Sequence, residues 1–347
     1  MHFNKQKSRP SLYTKHNHMK AFILQHYPRL ILIVIPFLFG YIISPPKNIS
    51  ESKEIRLKGN YQYINPLLEC DSTGFNSLTN LNQLRSQIIN NIAAETKAAN
   101  ISYASVYYRD LNNGPWFGIN ERDEFSPASL IKVPLVIAYY KLAESNPSIL
   151  QQKITNTETD TAKVTQNIIP EITLTPNQSY TVDELINIMI TYSDNLAYDL
   201  LLKNIDNSYV FQVYNDMGID IKTKQNSNTP GENILSVKDY ASFFRVLYNS
   251  SYLGNDMSEK TLKLLTQSTF KKGLVAGVSP DVEVSHKFGE REFIDTGEKQ
   301  LHDCGIIHLP QKQYLLCVMT RGNDFNKLSA FIKQTSASVF SEINNKN

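Results

Sequence analysis

Between Leu78 and Ala99 the apolar residues Leu81, Leu84, Ile88, Ile89 and Ile92 recur at helical spacing. The period then shortens. Ile101–Arg109 and Trp116–Ile119 read as strands, and Leu111-Asn112-Asn113-Gly114 between them is a hairpin turn signal. A long middle, residues 129–270, returns to helical patterning, with amphipathic or apolar runs at 129–144, 182–192, 196–204, 208–217, 236–249 and 257–267. Two of these runs open on a hydroxyl residue followed three positions later by an acid, Thr181/Glu184 and Ser236/Asp239, a helix-start signature. After Lys272-Gly273 the strand pattern resumes at Val282–Phe288, Leu301–Leu309 and Gln313–Thr320, and a helix from Phe325 to Ile343 closes the chain. This order predicts an α/β (α+β) fold. Both chain ends build one mostly antiparallel five-stranded sheet, and an all-helical subdomain is inserted between them.

The N-terminal region has a different pattern. Residues 1–43 carry Lys5, Lys7, Arg9, Lys15, Lys20 and Arg29 and no acid, so the net charge of +2 divides into +6 there and −4 in the remainder. The apolar run Leu30 to Ile43 follows. It is shorter than the roughly 20 residues of a full membrane span, which residues 21–44 together approach. A basic flank before a short apolar run also describes a secretory signal, but the exit Ser44-Pro45-Pro46 offers no small-residue cleavage site, and the first cysteine, Cys70, lies far downstream. The expectation is a basic cytoplasmic tail (1–20), an uncleaved transmembrane signal-anchor (21–44), an extracytoplasmic tether (45–78) and a catalytic domain (79–345), giving a single-pass membrane protein. The alternative is a buried helix of the globular domain.

Composition removes several function classes. With 14 glycines in 347 residues and no G-x-G-x-x-G or Walker-type loop, dinucleotide and P-loop chemistry is excluded. The near-neutral charge leaves no nucleic-acid footprint. Three cysteines and no H-E-x-x-H give neither a disulfide scaffold nor a metal site, so no metal and no cofactor is expected.

The informative stretch is Ser126-Pro127-Ala128-Ser129-Leu130-Ile131-Lys132-Val133-Pro134. Residues three apart share a helix face, so an amine at Lys132 can sit beside the Ser129 hydroxyl. Kept neutral by burial, that amine can take the hydroxyl proton. The same spacing occurs at Ser50/Lys53 and Ser268/Lys271, where an N-cap serine and a surface lysine suffice as explanation. The Ser129 copy differs because Lys132 sits among Leu130, Ile131, Val133, Leu135, Val136 and Ile137. Two further signals are Ser193-Asp194-Asn195, at a helix junction, and Lys287-Phe288-Gly289-Glu290, on a late strand. Read alone, the first is helix punctuation and the second an edge strand.

Taken in order, S-x-x-K, S-x-N and K-x-G resemble the penicillin-recognising serine hydrolases, and specifically the class A β-lactamase-like catalytic domain. The resemblance covers about residues 79–345. It implies Ser129 as nucleophile and Lys132 as its base. Ser193 would relay a proton to the leaving nitrogen, and Asn195 would hold Lys132 and the substrate amide. Lys287 would supply positive charge for a substrate carboxylate and lower the pKa of Lys132. Backbone N–H groups of Ser129 and Glu290 would form an oxyanion hole, with Gly289 leaving room. The implied partners are a β-lactam or a peptidoglycan stem peptide. A penicillin-binding sensor that does not turn over and a D-Ala-D-Ala peptidase are the alternatives.

Two departures bear on turnover. Phe288 stands where the family carries a hydroxyl that helps hold the carboxylate. The stretch from Gly218 to Leu235 lacks the Glu-x-x-Leu-Asn pattern of the family's deacylation loop, leaving Glu232 as a candidate displaced base or an exposed turn residue. A Ser–His–Asp site is the rival, but no G-x-S-x-G elbow exists, and adjacent His302 and Asp303 would point to opposite faces of a strand. His302 and His308 read as strand residues. The fold implied by the resemblance would bring Cys70 near Cys304, so a disulfide between them is expected in an exported domain, with Cys317 a buried thiol.

Overall fold

The computed structural model describes residues 54–56, 60–70, 78–112, 114–157, 166–219, 222–223 and 233–345. A two-stranded ribbon, β1 (Glu54–Arg56) and β2 (Leu67–Cys70), precedes helix α1 (Leu78–Lys97). The hairpin β3 (Tyr103–Asp110) and β4 (Trp116–Ile119) follows, with β5 (Glu124–Phe125) after it. The helical block comprises α2 (Lys132–Ser145), α3 (Val182–Thr191), α4 (Asn195–Lys203), α5 (Asn207–Asp216), α6 (Val237–Tyr248) and α7 (Asn255–Thr266). Short pairs run between them: β6 (Lys153–Thr155) with β7 (Ser179–Thr181), and β8 (Lys222–Thr223) with β9 (Asn233–Ser236), which also pairs with β5. Strands β10 (Val284–Glu292), β11 (Lys299–Ile307) and β12 (Tyr314–Gly322) and helix α8 (Phe325–Asn344) complete the chain.

The main sheet has the order β10-β11-β12-β3-β4 and is antiparallel throughout. The expected five-stranded sheet from both chain ends is therefore present, with β12 and β3 joining the two ends at its centre. Alternation divides its side chains between two cores. Val106, Tyr108, Leu316 and Val318 pack with Leu84 and Ile88 of α1 and Leu328, Phe331 and Ile332 of α8. Tyr107, Leu315, Cys317 and Met319 face the helical block, where α2 is buried nearly all round. Each fully buried aliphatic or aromatic side chain contributes about 1.5–3 kcal/mol, so this central helix is a rigid base for what it carries.

The helix openings form as expected. Thr181 accepts from the Glu184 N–H at 3.2 Å while Glu184 accepts from the Thr181 N–H at 2.7 Å, and Ser236 Oγ accepts from the Asp239 N–H at 3.1 Å. The run expected at 129–144 divides into a 3-10 turn, Ala128–Ile131, and then α2. Strand β10 extends past Phe288 to Glu292, because its register with β11 continues to Lys299.

A portion of the expected tether is packed against the domain. The backbone N–H groups of Gln62, Tyr63 and Ile64 donate to the Glu259 carboxylate of α7, the Asn65 N–H donates to the Tyr248 carbonyl, and Tyr63 and Ile64 are buried. The Cys70–Cys304 disulfide does not form: Cys304 is a free, fully buried thiol placed opposite Cys317 across β11 and β12. It faces the helical-block core, where strand register gives it Cys317 as its cross-strand neighbour. The basic tail and the signal-anchor, residues 1–44, lie outside the described residues. Among the described residues no helix is long and apolar enough to cross a membrane.

Candidate active site

Ser129 lies in the 3-10 turn that leads into α2. Three residues per turn stack positions 129 and 132, and this brings Lys132 Nζ to 3.0 Å from Ser129 Oγ. The turn is entered through Ala128 at φ 48°, a left-handed conformation that is uncommon for a residue with a side chain. Its position is tied to the sheet. His302 Nε2–H donates to the Ser126 carbonyl at 2.9 Å, and the Thr320 N–H donates to His302 Nδ1 at 3.3 Å. Burial pulls the imidazole pKa down to about 4, so this neutral tautomer persists at ordinary pH. His302 is the strand residue the pattern suggests, and it also holds the segment that carries Ser129.

Lys132 is 1% exposed. Its ammonium reaches the Ser193 carbonyl at 2.6 Å, Asn195 Oδ1 at 2.7 Å and Ser193 Oγ at 3.3 Å. Burial pulls its pKa down to about 7, against the opposing pull of Asp194, Asp199 and Glu290. The expected cause is Lys287, but it is desolvation that lowers Lys132. Lys287 is itself fully buried, and burial first and Lys132 second hold it well below the ordinary lysine range. Two amines so close in a dry interior cannot both carry charge cheaply.

The Ser193-Asp194-Asn195 segment joins α3 to α4. Asp194 caps α4, accepting from the Ala197 N–H at 2.6 Å, so the punctuation reading is also correct. Ser193 is at φ 58°, which turns its carbonyl toward Lys132 and leaves its hydroxyl between the two amines, 3.3 Å from Lys132 Nζ and 2.8 Å from Lys287 Nζ. Ser129, Lys132, Ser193, Asn195 and Lys287 thus form one connected cluster, with Ser129 and Asn195 half-buried at its open side. Gly289 brings β10 against the turn that carries Ser129: a Cβ there would lie 2.8 Å from the Pro127 carbonyl oxygen and 3.2 Å from the Leu130 nitrogen.

The neighbouring Glu290 does more with its side chain than the sequence suggests. Its Oε1 accepts from the Asn167 N–H at 2.8 Å and the Ile168 N–H at 2.7 Å. Adjacent Gln166 donates from Nε2 to the Ser193 carbonyl at 3.0 Å and accepts from the Asn195 N–H at 3.3 Å. Residues 166–168 therefore link β10 to the Ser193 loop. Sequence reasoning misses Gln166, since nothing periodic or motif-like marks that stretch. Asp303 pairs with His286 Nδ1 at 2.8 Å, not with His302, and gives its other oxygen to the Leu274 N–H at 2.8 Å. Glu232 lies outside the described residues. No group of His, Cys, Asp or Glu among the described residues could hold a metal ion.

Chemically, the cluster pairs a half-exposed hydroxyl with an amine near neutrality, and it places a second hydroxyl between that amine and another. A family model described as the beta-lactamase enzyme family matches residues 84–343. Solved structures share the fold. A PBP-A variant captured as an acyl-enzyme complex with penicillin G is 24% identical, over 75% of this chain and 96% of that one, at a TM-score of 0.61. A beta-lactamase from Sphaerobacter thermophilus is 19% identical, over 75% and 97%, at 0.63. One from Chitinophaga pinensis is 21% identical, over 75% and 98%, at 0.63. No curated protein matches.

Proposed function

Because the chain belongs to the beta-lactamase enzyme family and is a serine hydrolase of that type, we propose that Ser129 is acylated by a β-lactam or by an amide of a peptidoglycan stem peptide. The observation that carries this reading is the 3.0 Å approach of a buried, near-neutral amine to the Ser129 hydroxyl. Lys132 takes the Ser129 proton as Oγ bonds to the carbonyl carbon. The carbon–nitrogen bond then breaks, and the nitrogen takes its proton from Ser193 Oγ, which is resupplied by the amines on either side. Amide groups at the start of α2 favour the developing oxyanion. Asn195 orients Lys132 through Oδ1.

Membrane anchorage through residues 21–44, with the domain outside the cytoplasm, belongs to the same reading. The acid-free basic flank and the apolar run support it. Recovery of the chain in the soluble fraction, beginning near residue 45, refutes the anchor.

The test of the chemistry is intact mass of the full chain after incubation with benzylpenicillin at high concentration. A gain of one penicillin mass on the peptide containing Ser129, absent in Ser129→Ala, is expected. If neither benzylpenicillin nor its methyl ester leaves an adduct or a ring-opened product, the reading is overturned.

A further inference from the structure

Lys287 is the site's second cation, and its surroundings decide what it can bind. An ammonium has three N–H donors. One goes to Ser193 Oγ at 2.8 Å and another to the Phe288 carbonyl at 2.9 Å. The Phe288 ring covers what remains, its centroid 4.2 Å from Nζ. That ring is buried, and the buried Phe270 stacks on it at 4.3 Å between centroids with the planes 22° apart. No edge of Lys287 reaches solvent. Two residues further along β10, on the face that Phe288 shares, is Glu290. Its Oε1 is held by two backbone N–H groups, while its buried Oε2 has no hydrogen-bond partner.

An anion is held by donors that are free to turn toward it. Here an incoming carboxylate has to displace the Phe288 ring against Phe270 to reach Nζ, and it arrives near Glu290, whose second oxygen has no partner. Desolvation also biases Lys287 toward the neutral amine, which holds an anion poorly.

We propose that Phe288, backed by Phe270, closes Lys287 to anions, so that this site prefers acyl donors with no free carboxylate on the leaving-group side. In a peptide that means an internal amide or a blocked terminus, not a bond whose cleavage releases a C-terminal amino acid. Lys287 then serves Ser193, and substrate does not touch it. The inference rests on acylation at Ser129 and specifies which donors achieve it.

The test compares benzylpenicillin with its methyl ester, two compounds that differ only at the carboxylate, by the rate of adduct formation on the full chain. The wild-type chain is expected to react with the ester at least as fast as with the acid. In Phe288→Thr the acid-to-ester rate ratio is expected to rise about tenfold, the order of one charge-assisted hydrogen bond. A wild-type chain that prefers the acid tenfold or more overturns the proposal while leaving acylation intact, and this result needs no variant that must fold. A ratio unmoved in a folded Phe288→Thr chain also overturns it. No adduct with either compound in either chain overturns the acylation reading and this inference together.

Discussion

The two amines of the site lie within hydrogen-bond distance of the same hydroxyl, Ser193 Oγ, and in opposite surroundings. Lys132 is ringed by oxygens, two from Ser193, one from Ser129 and one from Asn195, and its serine partner is half-exposed. Lys287 is walled by the Phe288 carbonyl and the Phe288 ring, which Phe270 backs, with no solvent access. The same functional group lies against a half-exposed hydroxyl in one place and is sealed behind Ser193 in the other. Burial lowers both pKa values, so desolvation alone does not assign a role. What assigns it is which atoms complete the shell: Ser129 Oγ for Lys132, an aromatic face for Lys287.

The contrast breaks most sharply at Lys132. Lys132→Met is expected to lower the rate of Ser129 acylation by about 10³–10⁴, the range of a lost general base that acts as a unit with its nucleophile. Stopped-flow or quenched mass measurement against wild type reads it. Hydrolysis that survives the change would mean another group takes the proton.

Next in size is the contact between β10 and the turn that carries Ser129. A side chain at Gly289 collides with backbone, since even its Cβ would lie 2.8 Å from the Pro127 oxygen. Gly289→Val is therefore expected to push Ser129 out of line and slow acylation about 10²-fold, the cost of roughly 1 Å of misplacement. Far-UV circular dichroism checks that the sheet persists. Full activity in a folded variant would show that the close approach has no function.

The proton inventory sharpens the comparison at about tenfold per pH unit. In the proposed mechanism acylation needs neutral Lys132, whose pKa burial pulls down to about 7. The rate is expected to rise tenfold per unit below that pH and to level off above it. Stability moves with the same proton. The unfolded lysine keeps its proton up to about 10.5, while the folded one releases it near 7. Between those values the unfolded chain binds more protons, so stability rises with pH across that window. The gross slope for one such group is about 1.4 kcal/mol per unit. Denaturant titration at pH 7 and 9, in wild type and Lys132→Met, isolates it. A wild-type chain that gains no more than the variant would place the lysine pKa near its ordinary value.

What the sequence makes legible follows from range. Ser129 and Lys132 are three residues apart, so local geometry alone brings them together. The capping pairs at Thr181 and Ser236 are local in the same way. Ser193 and Lys287 are legible only as motifs, because nothing in their spacing says that Lys132 and Lys287 meet at the Ser193 hydroxyl. Cys304 has a neighbour other than the expected Cys70 because strand register decides it, and β11 sets Cys304 opposite Cys317. The tether departs from expectation for a similar reason: Gln62, Tyr63 and Ile64 are fixed by Glu259, almost two hundred positions later. The role of Phe288 depends on Phe270, which precedes it by a loop and a 3-10 turn with no periodic relation to it.

Gln166 tests the smallest difference between the two amines. It touches neither of them. Its amide donates to the carbonyl of Ser193, the oxygen that Lys132 also uses, and accepts from the backbone of Asn195, whose side chain holds Lys132. It is a positioning residue for the Lys132 shell, and both of its hydrogen bonds go to the Ser193 loop. Gln166→Ala removes two neutral hydrogen bonds at a half-buried place, each contributing about 0.5–1.5 kcal/mol net. A loss of about threefold to tenfold in acylation rate is expected, together with a displaced acid limb of the pH profile, because the oxygens that orient the amine lose their support. Gln166→Glu keeps the acceptor for the Asn195 N–H and replaces the donor, setting an acidic side chain beside the Ser193 carbonyl, and is expected to fall below Gln166→Ala. If both variants keep the wild-type rate and the wild-type limb, the Ser193 loop holds its shape through the Asp194 cap and the Lys132 contacts alone, and residues 166–168 serve only to tie Glu290.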